Sequence, residues 1–251
     1  MGRTIVVANQ KGGVGKTTTV VNLGAALSLA EKRVLVIDMD PQKNTTSGIG
    51  AETNDTASIY NVLMGFSSAE ENTVKTELPY LYLIPSTDEM QGFEVEVVER
   101  KNRAFLLKNA IEKISEKYDF ILIDTPPSLS FITVNSLVAA KEVLIPLQAE
   151  YYALEGLSQL LKTIKEVQEV YNPELEILGV IITMFDERTN LSKQVEEDAR
   201  SFFGDKVFQT RVPRNVKLSE APSFGKPIFL YDVKSRGAVS YLNLAKEILS
   251  G

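Results

Sequence analysis

Short aliphatic and β-branched runs alternate with longer amphipathic stretches along the 251-residue chain, and that rhythm restricts the folds open to it. The runs predict strands at 4–9, 33–39, 80–85, 119–124, 142–148, 176–183 and, from a weaker pattern, 206–210. Helical periodicity covers 16–31, 56–64, 88–117, 131–140, 153–171, 190–203 and 237–249. Strands joined through helices of this length pair in parallel, with helices on both faces of the sheet. Val34-Leu35-Val36-Ile37 and Ile121-Leu122-Ile123 carry no polar alternation, as expected of strands buried on both sides. The expected class is α/β, a largely parallel twisted sheet with helices on both faces, in a single domain spanning 1–251. No linker, low-complexity tract or internal repeat interrupts it, and the Thr/Gly/Asn-rich stretch 44–54 is the expected mobile loop.

Composition removes several chemistries. There are no cysteines, so disulfides, thiolate metal sites and iron–sulfur ligation by protein sulfur are excluded. There is no histidine either, which leaves proton transfer to carboxylates, lysines, hydroxyls or water. The longest apolar stretches, such as 177–185, fall far short of the ~20 residues that span a bilayer. Strand pattern begins at Thr4, so no signal peptide is expected and the setting reads as cytoplasmic. The net charge is −6, but it is unevenly placed. Residues 206–236 hold seven Lys/Arg against two acids, a segment of +5 on a remainder of −11. A polyanionic partner near that segment is the natural expectation.

The loop after the first strand reads Asn9-Gln10-Lys11-Gly12-Gly13-Val14-Gly15-Lys16-Thr17-Thr18 and opens a helix. Gly12, Gly13 and Gly15 let backbone N–H groups, with those of Val14 and Thr18, turn toward phosphate oxygens at a helix N-terminus. Lys16 would reach the β/γ-phosphates and the Thr17 hydroxyl would ligate Mg²⁺. The second strand ends in Asp38-Met39-Asp40, where alternation sends both carboxylates to one side of the crevice at the sheet's C-terminal edge. Phe120-Ile121-Leu122-Ile123-Asp124 has the form of a Walker B strand, with Asp124 holding a water on Mg²⁺. No N/T-K-x-D sequence is present to read guanine, so ATP is the expected nucleotide.

Gln10 stands where the ordinary phosphate loop has its first glycine, and Lys11 follows it. This deviant Walker A pattern resembles the ParA/Soj partition ATPases and their MinD-type relatives. The likeness covers nearly the whole chain. It includes Asp38-x-Asp40-Pro41-Gln42, Asp124-Thr125-Pro126-Pro127-Ser128, Met184-Phe185-Asp186-x-Arg188-Thr189-Asn190 and Pro213-Arg214-Asn215-Val216. The resemblance implies an ATP-bound homodimer in which Lys11 contacts the nucleotide of the other subunit. It further implies that Asp40 orients the attacking water, that Asp38 supports the magnesium shell, and that Met184, Phe185, Pro213 and Asn215 line the adenine pocket. It also implies slow ATP hydrolysis, non-specific DNA binding on the nucleoid and discharge by a ParB-like partner with a basic N-terminal tail. Arg188, Arg214 and Lys217, with Lys193, Lys226 and Arg236, are the candidate DNA contacts. The C-terminal stretch 241–249 has one lysine and one glutamate, unlike the basic membrane helix of MinD, so no membrane partner is expected. Two alternatives stay open: an amidating or ligase-type metabolic enzyme on the same fold, and a MinD-like ATPase that positions another cargo.

Overall fold

The computed structural model describes residues 2–51, 57–151, 153–154 and 156–251. Its strands are β1 (Arg3–Val7), β2 (Val34–Asp38), β3 (Val74–Lys75), β4 (Leu81–Ile84), β5 (Phe120–Asp124), β6 (Glu142–Gln148), β7 (Glu176–Phe185) and β8 (Val207–Pro213). They form one sheet in the order β3-β4-β2-β5-β1-β6-β7-β8. All neighbours pair in parallel except the short β3, which runs antiparallel to β4.

The order explains where a ligand would sit. From β1 the chain moves to β2 on one side, returns to β5 beside β1, and then crosses to β6 on β1's other edge. That reversal opens a crevice beyond the carboxyl end of β1, the usual ligand position in an open α/β sheet. Alternate residues of β1 feed two cores: Val6 joins Leu35, Ile37, Ile121 and Ile123 on one face, and Ile5 and Val7 join Val34, Val36 and Leu122 on the other. With both faces covered, the continuous apolar runs of β2 and β5 are explained.

The helices are α1 (Lys16–Leu29), α2 (Asn44–Ile49), α3 (Ile59–Met64), α4 (Phe93–Glu96), α5 (Leu106–Glu112), α6 (Phe131–Ala139), α7 (Leu157–Val170), α8 (Asn190–Phe203), α9 (Val216–Glu220), α10 (Ile228–Tyr231) and α11 (Arg236–Ser250). α1 is buried along almost its whole length, so its N-terminus is rigidly placed. Asn22 fixes it further, with Oδ1 accepting from Ile228 N at 2.7 Å. Thr19 and Tyr241 join α1 to α11 through a buried 3.2 Å hydroxyl contact.

Three expectations are corrected. The stretch 88–117 is not one helix but short pieces, α4 and α5 among them, broken at Gly92 and around 98–102. Val95, Val97 and Val98 lose χ1 freedom in a helix, and Glu94, Glu96 and Glu99 crowd like charge onto the same stretch. Residues 44–49 of the expected loop form α2, and 52–54 lie outside the described residues. Side-chain bonds from Thr45 and Thr46 to the strand-end aspartates hold α2 in place. Finally, the weak strand pattern at 206–210 becomes the seven-residue β8.

α2 ends at Gly50, whose backbone meets Gly225 directly. Both glycines have positive φ, 67° and 60°, and a Cβ on Gly50 would lie 2.0 Å from the Gly225 carbonyl oxygen. No other residue type fits there without moving one segment away from the other.

Candidate functional site

β1 delivers the loop 9–15 into the crevice, and α1 begins immediately after it. Gly13 and Gly15 are left-handed, φ 74° and 89°, which turns the chain back around an open concavity. A Cβ on Gly13 would meet nothing within 4 Å, so the hollow is formed by the backbone itself. Asn9 anchors the loop: its Nδ2 donates to Pro146 O at 2.8 Å and its Oδ1 accepts from Lys11 N at 3.0 Å. Thr183 Oγ1 donates to Val14 O at 2.8 Å from β7. The loop is therefore tied to β6 and β7 as well as to its own strand.

The hollow opens into a cavity of about 520 Å³, lined among others by Gly12, Gly13, Gly15, Lys16, Thr17, Thr18 and Asp40. A second cavity of about 360 Å³ shares Gly15, Thr18, Met184 and Pro222 with the first and adds Pro213, Arg214 and Asn215. One cleft thus runs from the glycine loop to the β7–β8 end.

The two lysines of the loop point in different directions. Lys16 Nζ turns inward and donates to Lys11 O at 3.2 Å, across the mouth of the hollow. Burial lowers its pKa, against the opposing pull of Asp124 and Asp40. Lys11 is absent from both cavity linings, and its Nζ instead pairs with Glu150 after β6.

Three carboxylates stand at the strand ends. Asp124 Oδ2 accepts from Thr17 Oγ1 at 2.8 Å and from Thr45 Oγ1 at 2.7 Å, while Oδ1 accepts from Thr125 N at 3.1 Å. Asp38 Oδ2 accepts from Thr46 N at 2.8 Å and Thr46 Oγ1 at 2.7 Å, and Oδ1 from Asp40 N at 3.1 Å. Both are fully buried. Burial raises both pKa values, Asp38 to about 7 and Asp124 to about 6, with repulsion from Asp124 adding to the rise at Asp38. Asp38 therefore holds α2 against the sheet, while Asp40, 5% exposed, borders the cavity.

This donor set suits magnesium held with a nucleotide. Among the described residues no group of three or more acidic side chains forms a cation cage. One hydroxyl at Thr17 and one carboxylate at Asp124, bonded to each other at the hollow's edge, leave the other ligands to phosphate oxygens and water. That is how Mg²⁺ is ordinarily bound beside phosphates.

The structure brings Gly12, Gly13, Gly15, Lys16, Thr17, Thr18, Asp40, Met184, Pro213 and Asn215 to the one cleft. Phe185 does not reach it. It lies just beyond the left-handed Met184, φ 51°, and packs into the core beneath the Arg211 guanidinium, 4.9 Å from its ring centre. Asn215 also caps α9, accepting from Lys217 N at 2.8 Å. Sequence reading missed Thr45, Thr46 and Glu150; the only signal was the hydroxyl-rich run 44–47 just after the aspartate pair.

The six basic candidates differ in freedom. Arg188 forms a two-bond pair with Asp186, at 2.9 and 2.7 Å, which holds the Asp186 carboxyl well below the usual range. Lys217 pairs with Glu220 at 2.9 Å. Lys193, Arg214 and Arg236 are exposed and Lys226 half-buried. No side-chain bond or ion pair holds any of these four among the described residues.

A family model described as an AAA domain matches residues 2–177. The chain is 52% identical over 250 residues to the chromosome partitioning protein ParA of Myxococcus xanthus, covering 99% of this chain and 88% of that one. It is also 52% identical over 249 residues to the sporulation initiation inhibitor protein Soj of Bacillus subtilis, covering 99% and 98%. Among solved structures, cobyrinic acid a,c-diamide synthase from Mycobacterium smegmatis, with a bound ATP analogue and magnesium, superposes with a TM-score of 0.88 at 36% identity. That match covers 99% of this chain and 94% of the other. No described helix is long and apolar enough to cross a membrane. The cleft, the deviant phosphate loop and identities of this size over nearly full length place the chain in the ParA/Soj family of chromosome-partitioning ATPases.

Proposed function

We propose that this ATPase is a nucleotide-controlled DNA-binding switch of the cytoplasm and nucleoid. ATP and Mg²⁺ are its cofactors. With both bound, two copies form a dimer that holds DNA without reading its sequence. A ParB-like partner with a basic N-terminal tail then stimulates hydrolysis and release, which drives segregation of a chromosome or plasmid.

The observation that carries this reading is the divergence of the two loop lysines. Lys16 reaches across its own hollow, while Lys11 stands off it, partly exposed and paired with Glu150, which leaves it available to the nucleotide of another subunit. A positive group at that mouth stabilises phosphoryl-transfer charge in the way an arginine finger does. Thr17 and Asp124 would hold Mg²⁺, which would supply neutralisation of phosphate charge. In the chain itself, Gly12, Gly13, Val14, Gly15 and Thr18 present backbone N–H groups, Lys16 contacts the phosphates, and Thr17 with Asp124 holds the ion. Asp40 orients the attacking water, and Asp38 keeps α2 closed over the ion's side of the cleft. Met184, Pro213 and Asn215 border the base.

DNA is held by phosphate contacts from Arg214, Lys226, Arg236 and Lys193, with Arg188 and Lys217 joining when released from their acidic partners. These cations are spread over several separate elements, and contacts to phosphates carry no sequence information. Doubling the exposed cations in a dimer makes DNA affinity follow the nucleotide.

An amidating enzyme is the competing reading, favoured by the 36% identity to the cobyrinic acid a,c-diamide synthase. Against it stands the basic segment 206–236, +5 on a remainder of −11, which suits a polyanionic partner. The 52% identities to partition proteins weigh the same way. Sedimentation with Mg-ATP tests the switch. Wild type should dimerise and Lys11→Ala should bind ATP yet stay monomeric. Equal dimers from both proteins would remove Lys11 from the interface.

A further inference from the structure

The partner of Lys11 has no role so far. Glu150 follows β6 on the segment that faces the phosphate loop, and each of its carboxylate oxygens is engaged. Oε1 takes the Lys11 ammonium; Oε2 accepts from Gln148 Nε2 at 2.8 Å. The backbone braces the arrangement, with Glu150 N donating to Gln148 O at 2.8 Å and Ala153 N to Glu150 O at 3.2 Å. Gln148 is the last residue of β6, so the carboxylate's position is set by the sheet.

The Lys11 end is set just as firmly. Its N–H is fixed by Asn9, and its carbonyl accepts from Lys16, so only the side chain is free to change partner. Lys11 carries one positive charge, and a carboxylate that neutralises it within its own chain weakens its attraction for phosphates bound by another subunit. The two partners compete for it.

We propose that Glu150 is a positioning residue that holds Lys11 in the nucleotide-free monomer and must release it for the ATP dimer to form. This rests on the reading of Lys11 as the residue acting across the interface. The side chains of Lys11 and Glu150 are 39% and 36% exposed. A pair this open to solvent is weak, so it delays Lys11 without trapping it: its removal should be worth about two- to fivefold at each lysine. Gln148 sharpens the device by fixing one rotamer of the carboxylate, which lowers the entropy cost of pairing.

The test uses Glu150→Gln, which keeps shape and removes charge, in the full-length protein. In the absence of nucleotide, amine acylation read by mass spectrometry should label Lys11 about two- to fivefold faster in the variant. With Mg-ATP, sedimentation should show the variant dimerising at lower protein concentration than wild type, and adding Glu150→Gln to Lys11→Ala should change nothing further. Unaltered labelling, or a dimer equal to or weaker than wild type while Lys11→Ala still fails to dimerise, overturns the role of Glu150 and leaves that of Lys11 standing. Normal dimers from Lys11→Ala alone overturn both.

Discussion

The glycine-loop end of the sheet and the basic segment 206–236 solve opposite problems. At the first, nearly every polar atom has a fixed partner: Asp124 is held by Thr17 and Thr45, Asp38 by Thr46, and Asn9 by Pro146. Burial makes each of those bonds necessary, because an unmatched carboxylate there would carry a large desolvation penalty. The basic segment is exposed, and its cations divide into matched and unmatched. Arg211 is bound to Glu196 and Lys217 to Glu220, while Arg214, Lys226 and Arg236 have no such partner among the described residues. A preorganised cleft suits one small, highly charged ligand. A loose array of cations suits a long polyanion whose phosphates need no exact placement.

The cleft side of this contrast is broken most strongly by Lys16→Ala. It removes charge-assisted bonds worth about 1.5–3 kcal/mol each, so Mg-ATP affinity measured by calorimetry should fall at least tenfold while the fold persists. Unchanged affinity would show that the hollow is not the phosphate site.

Gly50→Ala attacks the contact that joins the two regions. The added Cβ meets the Gly225 carbonyl, and the residue must hold a positive φ. Stability should drop by about 1–3 kcal/mol, read as a fall in Tm of roughly 2–4 °C for each kcal/mol in a chain this size. Wild-type Tm would mean that α2 and the 221–225 turn separate at little cost.

How much of this was legible in the sequence follows from how local each signal is. Lys16, Thr17, Asp40 and Asp124 were readable because each sits at a strand end or helix start that its own flanking residues define. Lys11 was readable as a departure from a regular pattern. Glu150 was not, because its meaning depends on β6 lying beside β1, which brings it to Lys11 from 139 residues away in the chain. Thr45 and Thr46 were mistaken for loop residues: hydroxyl-rich runs favour turns locally, and only bonds to buried aspartates turn this one into a helix. Phe185 was misassigned to the cleft because a strand end read as sequence does not say which neighbour faces which side. The paired state of Arg188 was equally hidden, although Asp186 lies two residues away, since adjacency alone does not predict a two-bond geometry.

On the basic side, the matched and unmatched cations should separate. Arg214→Ala should reduce the salt slope of DNA binding by about two per dimer, one for each lost phosphate contact. Arg188→Ala should change it less, because Asp186 already occupies that guanidinium. Equal effects would show that the Arg188 pair opens freely on DNA.

A separate test concerns the buried aspartates without ligand. Asp38 carries a pKa raised from 3.8 to about 7, so the native state binds more protons than the unfolded chain between those values. Stability should therefore be greatest below the lower value and decline as pH rises through the upper one. Thermal unfolding of nucleotide-free protein in magnesium-free buffer should show that decline, and Asp38→Asn should make it shallower, leaving the part due to Asp124. A rise in stability across the same range would contradict the assigned direction.

The central claim is that ATP converts this chain into a binder of DNA phosphates. The direct measurement is DNA affinity with Mg-ATP and without nucleotide, each titrated with salt. If about six phosphates are neutralised per dimer, affinity with Mg-ATP should fall by roughly a thousandfold between 50 and 200 mM salt. Nucleotide-free protein should bind far more weakly, and Arg214→Glu combined with Lys217→Glu should abolish binding while ATP-dependent dimers persist. DNA binding that is absent with Mg-ATP, or equal with and without nucleotide, would contradict the account.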